Sequence, residues 1–427
     1  MRRGAAAFIN TLLHHDVYKD VAIMTGAVMV SNVLNYFYQL FAGRFLTPSQ
    51  YGELFSLLSL LYIFSVFSQT INTSVTKFTT RYSTTGDYGK VKGLIIGFTK
   101  HVLILGIVIY ISILLASPWI LNFLKIDNSL YLVVLFASLP LSFLLPVYQG
   151  VLRGLQRFIS LGLSVVSWSF IKFVGGIGLI IFGYGVLGGI FGILLANVGA
   201  LIITLAFLKD ILGWKSEKVD VPEILSYGTF TFLVLLAYTV MWNLDVIMAK
   251  HYFSPTVAGE YSALSVLGKI ILFAPGAVGM VIFPKAAERF ENGGDHFKIL
   301  VRGLGIVLLI SGGAVVAYAL FPSFIIRLIY GAKYLSISGY LWLYGLGMMF
   351  LSMVNVLFNY LLSIRKSWLT LLALILGVAV EIAGISYTRT FIGIIRAVIL
   401  ASAVAFAVLI LDAWGLRHEG VSADASV

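Results

Sequence analysis

Lys172, Asp245 and Lys269 interrupt long runs of apolar residues, and they are where chemistry would lie. An ammonium kept from bulk water suits an anionic group such as a phosphate or pyrophosphate. A carboxylate in the same setting suits a proton or a small cation. If those runs cross a bilayer, each charge costs roughly 2.5–3.5 kcal/mol at a helix centre, so it is kept against a penalty. Tyr261, Ser265 and Lys269 recur every four residues, and Tyr238, Trp242 and Asp245 share a second helical face. Asp245 lies about ten residues before Pro255 and Lys269 about fourteen after it; at 1.5 Å rise per residue their depths differ by about 6 Å. They are placed to pair between neighbouring helices or to line one wet cavity. Lys172 snorkels, meets a carbonyl or lines the same kind of space. Glu381 is a further mid-span carboxylate with no evident partner.

Amides and hydroxyls form stripes beside these charges. Asn32, Asn35 and Gln39 follow an i, i+3, i+7 pattern. Ser65, Gln69, Asn72, Thr73, Thr76 and Thr80 extend a second stripe, and Ser352, Asn355, Asn359 and Ser363 a third. Amide faces turned to lipid would leave donors unsatisfied, so they point into a helical bundle or a lumen. Interhelical hydrogen bonds explain any one of them; three aligned stripes favour a lumen. The candidate substrate-binding residues are therefore Lys269, Lys172, Asn32, Asn35, Gln39, Gln69, Asn72, Asn355 and Asn359, with Asp245 as the candidate for ion coupling. There is no cysteine, and the six histidines do not cluster, so no metal site, cofactor or catalytic set is expected.

These residues need elements that span a membrane. The chain is 60% hydrophobic and 11% charged, with a mean hydropathy of +1.00. Soluble domains carry about 45–50% apolar and about 25% charged residues. Apolar runs of about 20 residues match the roughly 30 Å hydrocarbon layer. The sequence predicts an all-α, polytopic membrane protein of about twelve spans, at 21–45, 51–76, 94–121, 130–151, 161–182, 186–208, 225–249, 257–283, 300–321, 340–364, 368–387 and 392–414. Gly183-Tyr184-Gly185 makes a tight hairpin of the fifth and sixth, with small residues Gly185, Gly189, Gly192 and Ala196 at close-packing intervals. Pro140, Pro146, Pro275 and Pro284 fall in or near spans and free backbone carbonyls. No cleavable signal peptide is evident.

Of the basic residues, about 19 fall on the side of the N-terminus and about 7 opposite, which predicts both termini in the cytoplasm. The net charge of +11 thus reads as membrane orientation, with no nucleic-acid partner expected. The chain also repeats itself. Thr47-Pro48-Ser49-Gln50-Tyr51-Gly52-Glu53 is echoed by Ser254-Pro255-Thr256-Val257-Ala258-Gly259-Glu260, and Pro118-Trp119-Ile120 by Pro322-Ser323-Phe324. The interval is a little over two hundred residues each time. Two six-helix lobes follow, at residues 1–208 and 224–416, joined by a cytoplasmic linker at 209–223 and followed by a tail at 417–427.

Arg44-Phe45-Leu46-Thr47-Pro48-Ser49-Gln50-Tyr51-Gly52 resembles the polysaccharide and oligosaccharide flippases of the multidrug/oligosaccharidyl-lipid/polysaccharide (MOP) superfamily. Tyr148-Gln149-Gly150-Val151-Leu152-Arg153-Gly154-Leu155-Gln156-Arg157, Tyr330-Gly331-Ala332-Lys333-Tyr334, and Gly259-Glu260-Tyr261 with Lys269 are similar to the same family. The resemblance covers residues 20 to about 415 and rests on the order of the motifs. It implies a fold like that of multidrug and toxin extrusion proteins, two lobes around a cavity open alternately to each side. It implies transport of a saccharide linked through phosphate or pyrophosphate to a lipid carrier, from the inner to the outer leaflet of the cell membrane. Cationic side chains hold the head group in relatives; Lys269 fits that role best and Lys172 less securely. The first two spans lack the arginine run of the peptidoglycan-precursor branch, which argues against that substrate. Membrane lipids, the lipid-linked saccharide and a coupling cation, proton or sodium, are the expected partners of a monomer.

Two other readings stay open. A multidrug extrusion antiporter of the same superfamily would use Asp245 for cation exchange. A membrane glycosyltransferase or polymerase would need an acid or base in a sizeable loop, and the outer loops are short; the chain is read as no enzyme. The basic loop typical of twelve-helix facilitators is not matched by Thr84-Thr85-Gly86-Asp87-Tyr88-Gly89-Lys90.

Overall fold

The apolar runs fold as helices in the computed structural model, which describes residues 2–219, 229–276, 286, 289, 290, 294–364 and 367–418. Side chains are described for these except 2–19, 21, 212 and 418. The helices are α1 (Arg2–Phe45), α2 (Pro48–Thr84), α3 (Tyr88–Leu124), α4 (Ser129–Ala137), α5 (Leu139–Gly154), α6 (Phe158–Leu179), α7 (Gly185–Ala206) and the short α8 (Lys209–Leu212). They continue with α9 (Thr229–Met241), α10 (Leu244–Tyr252), α11 (Pro255–Phe273), α12 (Phe297–Leu320) and α13 (Pro322–Ile329). A 3-10 segment (Ala332–Tyr340) leads into α14 (Leu341–Ile364), then α15 (Trp368–Thr388) and α16 (Phe391–Gly415). No strand occurs among the described residues.

Local chemistry sets several boundaries. Proline opens α2, α11 and α13, where its missing N–H is one that a first turn leaves unbonded anyway. Thr47 and Gln50 form a reciprocal cap on α2: the Gln50 N–H donates to Thr47 Oγ1 at 3.3 Å, and the Thr47 N–H to Gln50 Oε1 at 3.1 Å. The chain reverses between α6 and α7 at Gly183, whose φ of 93° a side chain would strain.

Among the described residues nine helices are long and apolar enough to cross a membrane, or ten if the bent pair α9 and α10 is one span. That count takes 158–206 as a single element; divided at Gly183 it is two, and α1 carries the first expected span. Each of the twelve expected spans therefore has its helix. Two depart from continuity. The fourth breaks at Ser138, because Pro140 sits in the first turn of α5. The seventh, expected unbroken over 225–249, bends by 40° between Met241 and Leu244. Residues 225–228 of that span, 277–283 of the eighth, Pro284, 220–223 of the linker and most of the tail lie outside the described residues.

The helices gather into two compact units. The first is Met1–Phe45, Phe67–Asn122 and Ile126–Thr229; the second is Leu46–Val66, Phe123–Lys125 and Phe230–Val427. The lobes expected at 1–208 and 224–416 follow chain order, whereas this partition assigns the first half of α2 to the second unit.

The first unit is built on small residues and satisfied carbonyls. A Cβ on Gly192 would overlap Gly176, so α6 and α7 meet main chain to main chain. Pro146 has no N–H for the Ser142 carbonyl one turn back, and Ser68 Oγ of α2 donates to that oxygen at 3.1 Å. Asn72 Nδ2 donates to the Pro146 carbonyl at 3.0 Å and Thr80 Oγ1 to that of Gly154 at 3.3 Å. Arg157 forks onto Asp210, with Nη1 to Oδ1 at 3.0 Å and Nη2 to Oδ2 at 2.5 Å. These bonds hold the Asp210 carboxyl below the ordinary carboxylate range. Beyond α8 the chain lies on the start of α3: the Glu217 N–H donates to the Gly89 carbonyl at 3.0 Å, and Trp214 packs on Tyr88 at 4.9 Å.

Candidate functional site

The break between α9 and α10 builds the centre of the second unit. Asn243 is fully buried at the break, and Asp245 sits in the first turn of α10, where the helix dipole favours a carboxylate. Lys269 of α11 faces them. Its ammonium lies 4.8 Å from the Phe55 ring centre and 4.9 Å from that of Trp242, and it donates to Asn243 Oδ1 at 3.5 Å. The side chain is 4% exposed. No ion pair within 4.0 Å joins it to a carboxylate among the described residues; the three ion pairs found there are Lys90–Asp87, Arg157–Asp210 and Lys298–Asp295. The direct Asp245–Lys269 pair that helical depth allowed is therefore not formed. Asp245 and Glu381 act on Lys269 by Coulombic attraction, and the two ring faces hold the cation.

Asp245 is fully buried. Its Oδ2 accepts from Tyr344 Oη at 2.6 Å and from Tyr261 Oη at 2.9 Å, and the Tyr344 hydroxyl also lies 3.0 Å from Ser265 Oγ. Among the described residues its Oδ1 has no hydrogen-bond partner. Glu381 of α15 is buried too, with Oε1 unpartnered, and is in Coulombic range of both Asp245 and Lys269. One buried cation and two buried carboxylates thus share the second unit, beside a buried helix break. Such a set can exchange an ion or a proton, or meet an anion with its lysine.

The first unit holds the other lysine. Lys172 of α6 is 4% exposed, with its ammonium 4.7 Å from the Tyr38 ring centre and 4.8 Å from that of Trp168. Trp168 Nε1 donates to Asn197 Oδ1 at 2.9 Å, and Asn197 Nδ2 to Ser142 Oγ at 2.9 Å, which fixes that ring. Asn35 Nδ2 donates to Ser169 Oγ at 3.1 Å; Ser31 and Ser169 are hydrogen-bonded to each other. Asn35 Oδ1 is unpartnered.

The remaining amides divide. Asn32 and Gln69 are exposed, and Gln39 is half-buried. Asn72 is half-buried, accepting from Arg153 Nη1 at 2.7 Å while it serves the Pro146 carbonyl. Asn355 and Asn359 are half-buried on α14, with Asn359 Nδ2 donating to the Asn355 carbonyl at 2.8 Å and to its Oδ1 at 3.3 Å. Along α2, Thr73, Thr76 and Thr80 donate to carbonyls one turn back in their own helix. The structure thus brings Lys269 and Asp245 together and leaves Lys172 and Asn35 in the other unit.

Sequence reasoning passed over Phe55, Trp242 as a ring for Lys269, Asn243 and Tyr344. Phenylalanine and tyrosine in an apolar span carry no distinctive pattern. A signal did exist for α2: Tyr51, Phe55 and Tyr62 share one face. That face packs on the second unit, Tyr51 against Tyr330 and Tyr334 at 6.1 and 6.3 Å, and Tyr62 against Trp242 at 5.7 Å.

Long apolar helices with charges and a bent span at their centre define a multi-pass membrane protein. The chain belongs to the family described as polysaccharide biosynthesis protein, whose model matches residues 17–290. It is similar to an uncharacterized membrane protein of Methanocaldococcus jannaschii, 25% identical over 202 residues. That match takes in 46% of this chain and 39% of the relative, so the chain spans about two fifths of that protein. Among solved structures it is similar to an inward-facing multidrug resistance MATE family transporter of the MOP superfamily, with a TM-score of 0.72 at 18% identity over 92% of this chain and 99% of that one. It is also similar to the lipid II flippase MurJ in an inward closed conformation, with a TM-score of 0.71 at 18% identity over 92% of this chain and 87% of that one. The fold is like that of these two solved structures, as the sequence resemblance implied.

Proposed function

We propose that the protein is a flippase that moves a lipid-linked saccharide from the inner to the outer leaflet of the cell membrane, and is no enzyme. The observation that carries this reading is Lys269, a buried cation held on aromatic faces with no carboxylate within 4.0 Å among the described residues, in a chain of the polysaccharide biosynthesis family. Such an ammonium can trade its rings for a phosphate or pyrophosphate oxygen, while the carrier's tail stays in lipid. The two lobes, 1–208 and 224–416, would alternate in access with both termini in the cytoplasm, as the basic residues favour. Lys172 and the amides Asn32, Asn35, Gln39, Gln69, Asn72, Asn355 and Asn359 would meet saccharide hydroxyls or phosphate along the way.

The test is flipping of a fluorescent lipid-linked saccharide by the purified protein in liposomes. Losing a charged hydrogen bond to the head group costs about 1.5–3 kcal/mol, so Lys269→Ala should slow flipping roughly tenfold or more while the protein stays folded. Normal flipping by the folded variant removes the head-group role.

Asp245 supports a second element. Its unpartnered Oδ1 beside a helix break suits a proton or sodium ion that drives the cycle. The same feature would serve a cation-coupled drug antiporter. Resistance profiles of cells with and without the gene separate the two, since only an antiporter changes tolerance to cationic drugs.

A further inference from the structure

Within the second unit, the first half of α2 packs against the rest of that unit. Lys333 Nζ donates to the Leu46 carbonyl at 2.6 Å, and the Tyr51 and Tyr330 hydroxyls lie 3.4 Å apart. A Cβ on Gly52 would come within 2.8 Å of the Gly259 nitrogen, and one on Gly259 would overlap the Pro48 carbonyl. The two copies of the internal repeat therefore cross main chain to main chain. One turn beyond this crossing, Phe55 is 1% exposed and lies over Lys269. Between Gly52 and Gly86 the helix has neither glycine nor proline, so nothing in the sequence marks a hinge at Phe55.

From this we infer that Phe55 is a displaceable cover on the Lys269 site: its ring occupies the place of an anionic head group, which reaches the ammonium only once the first half of α2 has moved away from α11. Phe55 is then a residue that sets when the site is open, and Trp242, which is not on α2, is the ring that stays with the cation. The inference rests on the reading of Lys269 as a head-group ligand. It adds that occupation by ring and by phosphate are mutually exclusive, since both use the same face of one ammonium.

The experiment measures acylation of individual lysines in the full-length protein in nanodiscs, using a water-soluble N-hydroxysuccinimide ester and peptide mass spectrometry. Phe55→Ala should speed modification of Lys269 at least tenfold and leave that of Lys172, buried under its own two rings in the other unit, unchanged. Phe55→Tyr, which keeps a ring, should stay slow. Farnesyl diphosphate should protect Lys269 in Phe55→Ala at roughly a tenth of the concentration needed in the unmodified protein. Equal Lys269 rates, or equal protection, with and without the ring would overturn the inference. If Phe55→Ala loosens the whole fold, both lysines accelerate together; Phe55→Leu, which keeps apolar volume, then replaces it and the same contrast decides. The reading of function fails separately: a Lys269→Ala variant that flips normally sinks that reading even where Phe55 controls labelling. Labelling indifferent to Phe55 sinks the cover even where Lys269→Ala abolishes flipping.

Discussion

At the scale of single residues, the second unit keeps polar groups that a merely stable bundle would discard. Glu381 is buried with an unpartnered oxygen, and leaving such a group unsatisfied costs about 1–3 kcal/mol. Replacing it by an apolar residue of similar volume should remove that cost. Glu381→Leu is therefore expected to raise the thermal midpoint in detergent by a few degrees. A lowered midpoint would mean that the carboxyl is doing structural service. A simultaneous loss of flipping would identify the carboxylate as kept for transport. Lys172 and Glu381 stand a little over two hundred residues apart, at matching depths of the fifth and eleventh spans.

At the scale of elements, the position of nearly every span was legible, because a run of about 20 apolar residues has few other uses. The reversal at Gly183 was legible for the same reason that only glycine takes its φ without strain. The break at Trp242-Asn243 was not. No proline or glycine marks it, and its cause lies in the buried contacts of Asn243 and Asp245 with residues distant in sequence. The polar stripe on α2 was legible as a stripe but not in its use. Ser68, absent from it, does the work for Pro146 by supplying the donor that proline lacks. This assignment has a sharp test by double-mutant cycle. Ser68→Ala should cost about 1–3 kcal/mol in unfolding experiments, whereas in a Pro146→Ala background, where residue 146 regains its N–H, it should cost well under 1 kcal/mol. Equal costs in the two backgrounds would dissociate the serine from the proline.

At the scale of the whole molecule, membership of the polysaccharide biosynthesis family could be read from motif order. What could not be read is how the chain is tied down between its halves. Arg157 and Asp210, Trp214 on Tyr88, and Glu217 against Gly89 and Gly93 strap residues 209–218 to the first unit. The ion pair is half-exposed and contributes about 0–1 kcal/mol. Because the Asp210 carboxyl is held low, that contribution is present above the ordinary carboxylate range and is lost only as the pH falls through the folded value. At neutral pH the backbone contact should therefore dominate. A side chain at Gly93 would overlap the Glu217 carbonyl. Gly93→Val is expected to free the strap and raise the rate of trypsin cleavage after Lys215 and Lys218 about tenfold, in line with local opening made easier by about 1.4 kcal/mol. An unchanged cleavage pattern would mean that the strap is held elsewhere.

The crossing of Gly52 and Gly259 carries a thermodynamic consequence. A joint closed on main-chain atoms has no rotamers to freeze when it shuts and none to release when it parts, so its cycle is nearly free of side-chain entropy. If the first half of α2 does leave Lys269 as proposed, parting this crossing would release little side-chain entropy of its own.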